Sequence, residues 1–221
     1  MTDIKTAART YQQDIESDLG IELGSVCAPT TFYIEAKRLG YPAGKLSPAE
    51  FVKPCLQFDE QGRVVDSQRR ILSECVRKHY KMKVISWNTF NQPQDIDLMV
   101  KAGYIRSAEE QRFFKSVVEG KSVLDLVRRG YHIVAGVVPG FAANQGFHAV
   151  ILKQPDDLEA AKKGLIEVID PDQRNSKILY SAAEIQAGLQ VLQAGKIGSA
   201  CSIILPPHRS ILARLFSLRQ K

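Results

Sequence analysis

Tyr131-His132-Ile133-Val134-Ala135-Gly136-Val137-Val138 marks the point where the chain changes character. It is rich in β-branched residues, which suit a pleated, packed surface, and it reads as a strand. Downstream, Phe147–Leu152 reads as a second strand and Leu165–Ile169 as a third, with Gln154–Lys163 a polar insertion between two paired strands. Ser181 and Glu184 have the spacing of a capping box and start a helix that runs to about Ala194. Ile197–Leu205 reads as a fourth strand.

Upstream the pattern is helical. Ile4, Ala8, Tyr11, Ile15 and Leu19 form one apolar stripe over residues 3–19. Gly20–Val26 is a polar loop, and the next helix carries Pro29 in its first turn and stops at Gly40. Ser47-Pro48-Ala49-Glu50 is a capping box with proline at the first helical position, and Pro54 limits that helix. Asp66 is placed to cap a helix carrying Ile71, Leu72, Cys75 and Val76. Lys83–Ser86 reads as a short strand, and residues 95–129 as two or three helical pieces broken at Gly103 and Gly120. The first 130 residues are thus mainly helical and the next 75 mainly extended. That segregation predicts an α+β fold, because a doubly wound fold would alternate strands with helices.

A chain of 221 residues fits one large domain, here 1–205, with 206–221 as a basic C-terminal tail. Apolar residues at 44% and charged residues at 24% match a globular protein and exclude disorder. No apolar run nears the roughly 18–20 residues of a membrane span. Met1–Gly20 is polar and lacks the apolar stretch of a secretory signal, so the expected location is cytoplasmic. Four cysteines, at 27, 55, 75 and 201, form no C-x-x-C pair, and reduced thiols are expected. Cys55, Cys75 and Cys201 sit in apolar settings and read as core thiols.

The net charge is 30 − 24 = +6, and Pro206–Lys221 holds four of the cations and no acid, which leaves 26 − 24 = +2 for the rest. Ser210–Leu218, with Ile211, Leu212, Leu215 and Phe216, could form a basic amphipathic helix facing an acidic partner or a membrane surface, or could dock on the domain's own core. A second basic cluster, Arg69, Arg70, Arg77, Lys78, Lys81 and Lys83, reads as a solvated helix face. Neither cluster has the aromatic interleaving of a single-strand binder, and nucleic acid is disfavoured as a partner.

Three segments combine a reactive side chain with a setting that suits it. Cys27 follows the loop Gly24-Ser25-Val26 at a helix start, where the dipole and backbone N–H groups favour an anion. His148 opens a strand after the loop Asn144-Gln145-Gly146, at the rim of a sheet, with the pKa range of a proton shuttle. Asp170 ends the strand expected to pair with that of His148, and Pro171 stops the ladder after it. Each has a plainer reading: a buried cysteine, a strand histidine, a turn aspartate. Together they have the order of a nucleophile, its base and the group that orients the base. His132 reads as a packed strand histidine, His79 as a surface residue at a helix end, and Trp87 as core. No phosphate loop, dinucleotide fingerprint or metal-ligand spacing is present, so no cofactor or metal is expected.

These same segments carry a resemblance. Cys27-Ala28-Pro29-Thr30-Thr31 resembles the Cys-Gly-Pro-Ser/Ala/Thr helix start of the bacteriocin-leader-processing-like (double-glycine peptidase-like) cysteine peptidases, which are papain-like. Gly130–Val137 is similar to that family's strand before the catalytic histidine, Gly146-Phe147-His148-Ala149-Val150 to its Gly-His-x-Val-Val strand, and Val168-Ile169-Asp170-Pro171 to its closing Asp-Pro. The resemblance implies a papain-like fold and thiol-dependent hydrolysis of a peptide or isopeptide bond, or the related acyl transfer. Cys27 would be nucleophile, His148 general base and acid, and Asp170 orienter. The substrate would be a peptide or protein.

The departures matter. Ala28 replaces a glycine, Phe147 separates Gly146 from His148, and the gap from His148 to Asp170 is lengthened. The family's oxyanion glutamine, about six residues before its cysteine, has Ile21 at its place, beside Glu22. Gln12, Gln13 and Gln145, with the backbone N–H of Cys27, are the candidate donors. That departure supports an alternative: a degenerate papain-like module that binds a peptide or protein without cutting it. The chain lacks the spans and phosphate loop of family members fused to exporters, so a stand-alone domain is expected.

Overall fold

The computed structural model describes residues 15, 17–20, 26–58, 60–61, 64–65, 69–89, 96–138, 141, 148–171, 178–193 and 196–207. The first half carries α1 (Cys27–Leu39), α2 (Pro48–Val52), the short pair β1 (Gln57–Phe58) and β2 (Val64–Val65), α3 (Arg69–Tyr80), β3 (Lys83–Asn88), α4 (Ile96–Lys101), α5 (Ala108–Phe113) and α6 (Val123–Arg128). The second half carries β4 (Ile133–Val137), β5 (His148–Lys153), α7 (Leu158–Lys162), β6 (Ile166–Ile169), β7 (Leu179–Tyr180), α8 (Ala182–Gly188), β8 (Val191–Gln193), β9 (Lys196–Gly198) and β10 (Ala200–Leu205). The α+β expectation holds: helices pack on a six-stranded sheet of order β3-β10-β4-β5-β6-β7. Every neighbouring pair in it is antiparallel.

Both faces of this sheet are covered. Ile85, Trp87, Ile133, Ala135, Val150, Leu152, Val168 and Ile203 point to one core, shared with Met99, Phe113, Leu126 and Ile185 of helices α4, α5, α6 and α8. The alternate residues Val84, Val134, Ile151, Ile169 and Ile204 point to a second core with Phe32, Ile34, Phe51, Leu72 and Val76 of α1, α2 and α3. Strands buried on both faces have no polar side to show, which is why 133–138 and 149–152 are unbroken apolar runs. Each fully buried Ile, Leu or Phe stabilises this arrangement by about 1.5–3 kcal/mol.

Local signals explain most boundaries. The capping boxes Ser47/Glu50 and Ser181/Glu184 form as expected. Two more, Ser107/Glu110 and Ser122/Asp125, start α5 and α6. The breaks at Gly103 and Gly120 occur at φ 75 and 68, and Gly40 ends α1 at φ 75, a conformation glycine adopts without strain.

Other boundaries differ from expectation. Helix α8 ends at Gly188 and not near Ala194: the Gly188 carbonyl accepts from the Val138 N–H at 2.9 Å, and Val191–Gln193 turns into a hairpin strand. The strand expected over 197–205 is two strands; β9 pairs with β8 in a hairpin, and β10 joins the main sheet. The polar insertion 154–163 folds in part into α7, capped by Asp157. Arg77, read as part of a solvated face, turns inward and donates to the carbonyls of Val84 and Tyr104 and, at 3.4 Å, of Gly103. Of the helix expected over 3–19, residues 17–19 are helical and Ile15 is buried; the remainder lies outside the described residues, as do Asp66 and the tail from 208 onward. Among the described residues no helix is long and apolar enough to cross a membrane.

Candidate active site

Helix α1 begins with Cys27. Its N-cap residue, Val26, supplies no side-chain hydrogen bond, and its first turn contains no acid. No carboxylate within that turn therefore offsets the positive end of a helix of 13 residues. The hydroxyls of Thr30 and Thr31 turn back onto the carbonyls of Val26 and Ala28, each at 2.7 Å, and so tighten the first turn. Packing of α1 on β5, β10 and β4 sets that turn against the sheet.

His148 is the first residue of β5 and Asp170 follows the last residue of β6. The register pairs Ile151 with Ile169, so Val150 faces Asp170, and His148 is its diagonal neighbour on the same side of the sheet. The imidazole Nε2 lies 2.5 Å from Asp170 Oδ1. Cys27 reaches the same imidazole and hydrogen bonds to it. Cys27, His148 and Asp170 are each 8% exposed, so solvent touches only an edge of the cluster.

Electrostatics in this cluster favour a charged imidazole. Burial opposes the cation, but hydrogen bonds to Asp170 and Cys27, and then the electrostatic effect of these two neighbours, outweigh it. The His148 pKa is pushed up from 6.5 to about 10. Near neutral pH the ring therefore holds both protons, with one nitrogen on Asp170 and the other left for the sulfur.

A second buried cluster ties the cysteine helix to the sheet. Glu35, midway along α1 and 1% exposed, accepts from the Arg38 guanidinium and pairs with His132 Nδ1 at 2.9 Å. Burial would raise its pKa; His132 first, and then Arg38, reverse that and hold it at about 2. His132 stands just before β4, so this contact crosses from helix to sheet. The Tyr41 hydroxyl adds a further tie, donating to the Leu205 carbonyl at 2.5 Å and accepting from the Lys83 N–H at 3.0 Å.

The structure thus brings together Cys27, His148 and Asp170, chosen from sequence. Gln12, Gln13 and Gln145 lie outside the described residues, as do Ile21 and Glu22. The expectation for His132 is corrected: it is half-buried and partnered by a carboxylate, a role signalled only by one acid inside the apolar run Phe32-Tyr33-Ile34-Glu35-Ala36. Asn88 had no signal. It ends β3, at the same end of the sheet as His148, and its buried Oδ1 has no partner among the described residues. Trp87 is core, 1% exposed. Among the described residues no three His, Cys, Asp or Glu side chains are grouped to hold a metal ion.

Comparison of the chain with protein-family models, with curated proteins and with solved structures finds no match.

Proposed function

We propose that the chain is a papain-like thiol hydrolase, or the related acyl transferase, acting on a peptide or isopeptide bond. The observation that carries this reading is the contact chain from Cys27 to His148 to Asp170 at the start of α1. In the proposed reaction His148, oriented through Nε2 by Asp170, holds the proton given up by Cys27. The sulfur attacks the carbonyl carbon, and a tetrahedral oxyanion forms near the positive end of α1. His148 returns the proton to the departing amine, which leaves a thioester on Cys27. Water or a second amine, deprotonated by His148, then releases the acyl group. The backbone N–H of Cys27 is the nearest oxyanion donor in this scheme, and one of Gln12, Gln13 or Gln145 would supply a side-chain donor.

Ile21, where the resembled family has its glutamine, favours a second reading: a module that binds a peptide and does not cut it. Incubation with a complex peptide library, read by mass spectrometry, separates the two. The hydrolase reading expects new termini that are absent with Cys27→Ser. Peptides retained intact by the chain, with no new termini, would select the binding reading.

A further inference from the structure

Two of the remaining thiols meet. Cys55 ends the short helical turn Lys53–Cys55 after α2, and Cys75 lies within α3, 20 residues on. Their sulfurs are 2.8 Å apart. Cys55 is 2% exposed, and its Sγ otherwise faces the Phe51 carbonyl at 3.9 Å. Cys75 is only partly buried, with its Sγ 3.1 Å from the Pro54 carbonyl. A reagent in solution therefore reaches Cys75 and meets Cys55 only through it. Closing this contact to a disulfide of about 2.05 Å asks for a movement of roughly 1 Å or less.

We infer that Cys55 and Cys75 form a redox modification site that takes a low-molecular-weight disulfide of the glutathione type, with Cys75 the attacking and Cys55 the resolving thiol. The local electrostatics agree with this division. The hydrogen-bonded contact with Cys55 holds Cys75 below the ordinary thiol value against the opposing effect of burial, with help from the Lys78 charge. Cys55 is pushed up, first by its contact with Cys75 and then by burial. The Cys75 thiolate attacks one sulfur of the small disulfide. That S–S bond breaks, one small thiol leaves with a proton, and a mixed disulfide remains on Cys75. Cys55 gives its proton to solvent and attacks the Cys75 sulfur, which expels the second small thiol. The two protein thiols lose two electrons and the small disulfide gains them. The product bridge joins α3 to the turn after α2, within the layer that carries α1.

The test is oxidation of the reduced full chain with oxidised glutathione, followed by peptide mapping. The expected result is a linked Cys55–Cys75 peptide, Cys201 unmodified, and a melting temperature raised by roughly 5–10 °C for a loop of this length. Cys55→Ser should stop the sequence at a mixed disulfide on Cys75. Cys75→Ser, at the more exposed position, should leave Cys55 unmodified and abolish the temperature rise. A wild-type chain that keeps both thiols free, or accumulates glutathione on Cys75 with no link to Cys55, overturns the inference.

Discussion

His148 and Glu35 are the two residues on which the candidate site turns, one at its centre and one behind it. An imidazole that stays protonated to about pH 10 places a cation beside Cys27 across the neutral range. Alkylation with iodoacetamide at pH 6, mapped by mass spectrometry, should therefore label Cys27 and the half-exposed Cys75 while sparing Cys55 and Cys201. His148→Ala should remove the labelling of Cys27 and leave that of Cys75 unchanged, which makes Cys75 an internal standard. Equal labelling of Cys27 in both chains would show that the imidazole does not activate it. Glu35 is a different kind of residue, since its partners Arg38 and His132 stand outside the trio of Cys27, His148 and Asp170. Taking away one member of a buried ionic cluster strands the others, so Glu35→Ala should cost about 3 kcal/mol in urea unfolding. His132→Ala should cost less, because Arg38 still pairs with the carboxylate. A loss below about 1 kcal/mol for Glu35→Ala would mean that this cluster does not anchor the helix.

At the scale of elements, α1 matters most, because its position decides where Cys27 stands. The turn Pro42–Lys45 after it folds back so closely that a Cβ on Gly44 would lie 2.6 Å from Lys37 Cα. A backbone atom cannot swing aside as a side chain does. Gly44→Ala should therefore destabilise the chain by about 1–3 kcal/mol and displace the helix. Thermal unfolding reads the first effect and the rate of Cys27 alkylation reads the second; an unchanged melting temperature would refute the tight approach. Much else about the elements was legible in advance. Ser47 and Ser181 announced their helices because a capping box is a contact between residues three apart. Gly40, Gly103 and Gly120 announced breaks for an equally local reason. The end of α8 was not legible, because the Gly188 carbonyl is taken by the N–H of Val138, far from it in sequence.

The whole molecule adds a pH dependence to its stability. Glu35 binds its proton near 4.5 when unfolded and only near 2 when folded. Its contribution is therefore complete above 4.5 and is lost as the pH falls towards 2. His148 works in the opposite sense: from 6.5 unfolded to about 10 folded, its contribution is complete below 6.5 and is lost as the pH rises through 10. The difference in melting temperature between wild type and Asp170→Asn should thus shrink from pH 6.5 to pH 10, and a constant difference would refute the assignment. Sequence by itself determined the α+β class, the division into helical and extended halves, the main capping boxes, and the order of Cys27, His148 and Asp170. These depend on periodicity, on contacts a few residues apart, or on the pairing of strands neighbouring in sequence. Only the tertiary structure decided that β10 enters between β3 and β4, that Glu35 meets His132, and that Cys55 meets Cys75. Each of these joins residues 20 or more apart, and no local pattern can mark a partner that far away, because the pairing is chosen by burial of the two shared cores.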